Sequence, residues 1–280
     1  MQIRFAAALL LALLAPAAAQ PVSDQNVTDF IEAHTAITHL GKIARWEDGV
    51  CAGLTGLPAG FTKFILGRIK EVATTAGAPV DANAACKPNI QIIFTTKPQD
   101  LLDGIRAKEP VLLGYYDSPS QAEKMATVTH PIQSWYTTAT VDLRGKPQID
   151  FRHANNNQTY DPMDAQAVTG SHLGDGLRSA FYHVTIIADP SKLGDHEIGA
   201  LADNIAMLAL SQPSSLDTCT QLPSIVNLNT PGCHAETPLK AITANDTAFL
   251  RGLYTIALGG TLRAQKDGIV FGMKKALATP

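Results

Sequence analysis

The chain has 280 residues, 45% hydrophobic and 17% charged, with 22 basic side chains against 25 acidic ones and a formal net charge of −3. That is enough apolar material for a substantial core. The charges make no basic stripe and no run of one sign, which argues against nucleic acid or an anionic membrane as partner.

Arg4 precedes the apolar run "AAALLLALLAPAAA", and Ala17-Ala18-Ala19 supply the small residues of a cleavage site. Residues 1–19 therefore read as a secretory signal peptide, too short to span a bilayer, which takes about 20 residues. No later run is comparably apolar, so no membrane span is expected, and the mature chain is expected to be periplasmic or secreted. An exported chain with four cysteines points to disulfides. Of the three possible pairings, Cys51–Cys86 and Cys219–Cys233 are expected, and no C-x-x-C supports a zinc or thioredoxin site.

Residues 20–57 read as an N-terminal arm with a short helix, and 58–280 as an α+β domain. Phe61, Ile65, Ile69, Val72, Ala73 and Ala76 share one helical stripe, which Gly77 ends. "IQIIF" at 90–94 predicts a strand, 99–108 a short helix and "VLLGYY" at 111–116 another strand. Ser118-Pro119-Ser120-Gln121 has the form of a capping box opening a helix through Val128. "SWYTTATVDLRGKPQIDF" predicts a hairpin turning at Arg144-Gly145-Lys146-Pro147, and "HANNNQTYDPMD" a polar loop. A strand at 181–188 leads into a helix over 195–211. Thr243 with Asp246 predicts the cap of a helix that Gly259-Gly260 breaks, and Ile269, Val270, Met273, Ala276 and Leu277 stripe the last one. Irregular mixing of strands and helices predicts an α+β fold: one compact domain, its mixed or antiparallel sheet packed by helices.

The strongest chemical hint lies in "LGDHEIGALADNIAMLALSQ" at 193–212. In H-E-x-x-H, histidines four residues apart on a helix bind zinc, and the glutamate polarises the bound water. His196 and Glu197 match, but Ala200 occupies the second ligand position. Asp203, two turns from His196, lies about 10 Å away along the axis. Asp195 is expected to cap this helix, with Glu197 complementing its dipole.

His153, His172, His183 and His234 show no ligand spacing. Ser171-His172 in "TGSHLGDG" lacks a nucleophile elbow, though the loop is a candidate ligand surface. Asp142, Asp150, Asp161 and Asp164 supply carboxylates that the sequence cannot pair. Trp135 and Tyr136 form a candidate ligand-binding pair for a glycan, although core packing within a strand is their commoner role.

"PNIQIIFT", then "FYHVTIIA" running into "HEIGALADNIAMLAL", then "ITANDTAFLRGLY" resemble a degenerate zincin-type metallopeptidase scaffold of exported Gram-negative proteins. The similarity spans roughly residues 59–95 and 181–257, and it implies a zincin-like fold. It also implies a competing function, a divergent metal-dependent peptidase. In that reading His196 and Glu197 are catalytic and zinc is held by His196 with His172, His183 or Asp203. The leading expectation is different: an exported, non-catalytic binding or accessory protein without a cofactor, its partner an envelope protein or a glycan.

Overall fold

The computed structural model describes residues 23–83, 85–151, 175–233, 239–257 and 259–278. The leader, the whole 153–164 loop with His153, Asp161 and Asp164, and Ser171, His172 and His234 lie outside the described residues. Five strands make one mixed sheet, β1 (Ala52–Thr55), β2 (Ile90–Phe94), β3 (Ile132–Val141), β4 (Pro147–Ile149) and β5 (Arg178–Ala188), in the order β1-β2-β5-β3-β4. β1, β2 and β5 run parallel, while β3 is antiparallel to both β5 and β4. The helices are α1 (Asp24–His34), α2 (Ala59–Ala76), α3 (Pro98–Lys108), α4 (Pro119–Met125), α5 (Ile198–Leu210), α6 (Ala244–Thr255) and α7 (Leu262–Ala278). The fold is α+β, with a single sheet packed by helices.

One face of the sheet turns Ile90, Ile92, Tyr136, Val184 and Ile186 toward the main core, which α2, α5 and α6 also line. The opposite face carries a smaller cluster of Trp135 and Ile187 against Leu102 of α3 and Leu113. β5 lies between two strands with apolar packing on both sides, so its Val184–Ala188 run is buried without alternation. The segment expected as an N-terminal arm contains α1, and its Phe30, Ile31, Ile43 and Trp46 are buried in the main core.

α2 ends as its glycine predicts, with Gly77 at φ 81° and its N–H bonded to helix carbonyls. Its stripe is buried from Ile65 onward, but Phe61 in the first turn stays 49% exposed. α6 has the full capping box: Thr243 accepts from the Asp246 N–H, and the Asp246 carboxylate accepts from Thr243. The hairpin forms as expected, and Asp142 fastens its turn through the Arg144 and Lys146 amides. The Lys146 amide and the Arg144 guanidinium hold the Asp142 carboxyl below the ordinary carboxylate range.

Two expected elements change. Residues 110–113 form a 3-10 turn instead of a strand, because Pro110 starts it and Gly114 leaves it at φ 88°. A Cβ on Gly114 would lie 2.3 Å from the Tyr136 carbonyl oxygen, so the chain bends there against β3. α5 begins at Ile198, three residues later than expected, with Glu197 at the N-cap and no side-chain cap bond. Gly194 at φ 61° places Asp195 and His196 in a turn before the helix, so Asp195 does not cap it.

Both expected disulfides are present, Cys51–Cys86 and Cys219–Cys233, with Cα atoms 6.1 and 5.6 Å apart. Among the described residues no helix is long and apolar enough to cross a membrane.

Candidate functional site

α5 is enclosed on every side from Ala200 to Leu210. A helix ends with carbonyls that have no partner within it, and burying them unpaired is costly. Here each is met. Ser211 bonds the Met207 carbonyl through its N–H and hydroxyl. The Tyr136 hydroxyl donates to Leu208, the Trp46 indole to Ala209 and the Tyr254 hydroxyl to Leu210, each at 2.8 Å. Burial pushes both phenols well above their ordinary range, so they remain protonated donors. This network explains why three polar aromatic residues are buried around one helix end.

Immediately beyond that end, Gln212 to Asp217 forms one wall of a cleft of about 560 Å3. That volume lies within the roughly 300–1,000 Å3 of ordinary ligand sites. The other walls are the segment after α1 (36–39), the stretch from Leu113 through α4, and residues 129–138 of β3 and its approach. Backbone bonds fix the Gln212 wall: the Ala36 N–H donates to the Gln212 carbonyl at 2.7 Å, and the Ser214 N–H to Ala33 at 3.0 Å. Asn227 and Thr230 hold the Leu216 carbonyl. His130 joins two walls, its Nε2 3.0 Å from Asp217 Oδ1 and its Nδ1 2.8 Å from Thr129 Oγ1.

Two atoms in the lining are unusual. His39 Nε2 and Gln212 Oε1 are enclosed without a hydrogen-bond partner among the described residues. The His39 ring stacks on Tyr115 with centroids 4.0 Å apart, which fixes its plane. Below them Ser134 donates to the Tyr136 hydroxyl at 2.9 Å, which leaves the serine oxygen able to accept. The charged lining groups are Lys124, Asp117 and Asp217, so neither sign dominates.

The residues expected from the sequence are dispersed. Trp135 and Tyr136 do border the cleft, but both are buried. Trp135 donates to the Met125 carbonyl and packs in the smaller cluster, and Tyr136 caps α5. His196 and Glu197 are exposed before α5, and the Glu197 carboxylate is 4.0 Å from Lys240. Because both precede the helix, the i, i+4 geometry of the zinc motif does not arise at His196. Asp203 is buried and already engaged: Arg68 of α2 forks onto its carboxylate, and the Ile242 N–H donates to it at 2.7 Å. It joins α2, α5 and the approach to α6, a structural role.

His183 lies on β5, with Nε2 enclosed and unpartnered among the described residues. Burial holds its imidazole below the ordinary range, opposed by Glu109. No three His, Cys, Asp or Glu side chains among the described residues come together as a metal-ligand group. His39, Gln212, His130 and Asp217 were not singled out by the sequence. The only local signal was Pro213 with two serines after a helix, which announces a turn and no chemistry.

No family model, curated protein or solved structure matches this chain, so nothing in those comparisons bears on a zincin-type ancestry.

Proposed function

We propose that this chain is an exported binding protein, acting in the periplasm or outside the cell, that holds a small polar ligand in the β3 cleft without transforming it. Two disulfides support an oxidising, non-cytoplasmic setting. The signal-peptide pattern of residues 1–19 supports export.

The observation that carries the binding role is the cleft itself. Three stretches distant in sequence, 36–39, 113–138 and 212–217, form its walls, and two enclosed polar atoms of lining residues have no partner among the described residues. Buried polar groups are rarely left so, and exceptions call for a reason. A ligand that supplies the missing partners is that reason. The Thr129–His130–Asp217 contacts tie two of these walls together, a role that fits binding.

The test uses the chain expressed with its leader and purified from the periplasm. It is titrated with amino acids, dipeptides, neutral oligosaccharides and polyamines while thermal unfolding is followed. A ligand at about 100 times its Kd stabilises by about 2.7 kcal/mol, a rise of roughly 5–10 °C for a chain of this size. Hydrogen exchange should slow at 36–39, 113–125, 129–138 and 212–217. No shift with any of these classes sinks the proposal.

A further inference from the structure

Resting on that binding role, we infer that the cleft is built for a polyhydroxylated ligand, a neutral sugar or a short glycan. Gln212 Oε1 is an acceptor and needs a donor, whereas His39 Nε2 serves as donor or acceptor according to tautomer. Ser134, having given its proton to Tyr136, offers a further acceptor. A hydroxyl group both donates and accepts, so one repeated functional group satisfies all three.

Charge points the same way. An anionic ligand calls for a cluster of cations, but among the described residues Lys124 is the one Lys or Arg in the lining. A cationic ligand calls for unopposed carboxylates, whereas Asp217 is bonded to His130 and Asp117 is engaged within the protein as well. Between the polar groups the walls are apolar, with Ile37, Leu113, Met125 and Leu216. A sugar ring has this alternation, with hydroxyls along its edges and C–H groups on its faces. Gln121 adds to it, since its carbonyl oxygen accepts from the Asp117 N–H and its amide NH2 remains a donor.

Calorimetric titration of the periplasmically purified chain with chitotriose, maltotriose and a dipeptide control tests the inference. The two sugars separate an N-acetylglucosamine strand, as in cell wall, from an α-glucan. One trisaccharide should bind, and Gln212→Met and His39→Phe should each weaken it at least tenfold. Both variants keep side-chain bulk, and each removes an enclosed polar atom that lacks a protein partner. Their melting temperatures should therefore equal or exceed that of the parent, which a purely structural role would not allow.

Binding of the dipeptide but of neither sugar overturns the sugar inference and leaves the binding role standing. No binding by any of the three overturns the sugar inference, and the wider panel of ligand classes then decides the binding role. Trisaccharide binding that both variants retain overturns this cleft as the sugar site. If a variant binds weakly because it folds poorly, hydrogen exchange on the parent decides. Sugar-induced protection confined to 36–39, 113–125, 129–138 and 212–217 supports the inference, and protection elsewhere overturns it.

Discussion

Replacing Tyr136 with Phe removes one oxygen and leaves the ring in place between the sheet and α5. That oxygen donates to the Leu208 carbonyl at 2.8 Å and accepts from Ser134 at 2.9 Å. The carbonyl lies in the last turn of a helix that is buried throughout, so without Tyr136 it is left unpaired. Leaving a buried acceptor unsatisfied costs about 1–3 kcal/mol, more than the net contribution of an average hydrogen bond. Urea unfolding at neutral pH should show the midpoint falling by that free energy at constant slope. Heating should show a loss of roughly 2–4 °C per kcal/mol. Ser134→Ala should cost less, because it frees the phenol from a bond while the cap stays. In the double variant the two effects should fail to add, since the residues share one bond. A Tyr136→Phe cost below about 0.5 kcal/mol would refute the capping argument. It would mean that water entering from the cleft satisfies Leu208 equally well.

Gly114→Ala should destabilise by at least about 2 kcal/mol in the same urea assay, because φ 88° with ψ −173° lies in a region nearly confined to glycine and the added Cβ meets the Tyr136 carbonyl. Gly145→Ala, at φ 77° with nothing within 4 Å, should cost only about 1–2 kcal/mol, and equal costs would count against the close approach. Burial holds the His34 imidazole, stacked on Phe30 with centroids 4.1 Å apart, below its ordinary range. The unfolded chain therefore binds more protons just below pH ~6.5, and stability, complete above that pH, is lost as pH falls toward the folded value by at most about 1.4 kcal/mol per unit. Urea midpoints between pH 7.5 and 5 should show this slope, reduced in His34→Gln with a remainder from His183, whose shift has the same sign; an unchanged slope in the variant would exclude His34 as its source.

Much of the fold is legible because its signals are local. Gly77 ends α2 by adopting a left-handed conformation, and the Thr243 capping box needs only four consecutive residues. "IQIIF" carries three β-branched isoleucines in five residues, and each cysteine pair brackets one continuous segment. The misread stretches depend on contacts remote in sequence. Val111 to Tyr116 has strand composition, yet Gly114 must pass against β3, which only the assembled sheet imposes. Asp195 has the composition of a cap, but the turn at Gly194 delays the helix past it. The cleft is less legible still. Its walls come from 36–39, 113–125, 129–138 and 212–217, and none of these segments carries a catalytic or metal-binding motif. Trp135 and Tyr136 border the cleft and secure its walls from behind.

The side chains that meet the end of α5 also set the register of that helix. Trp46 comes from a loop before the sheet, Tyr136 from β3 and Tyr254 from α6, and they grip three successive carbonyls. A slip of one residue would move each carbonyl about 1.5 Å along the axis and turn it by about 100°, so all three bonds would break together. Gln212 follows two residues after the last of these carbonyls. The position of the Gln212 amide is thus inherited from the core, and its geometry is set when the chain folds.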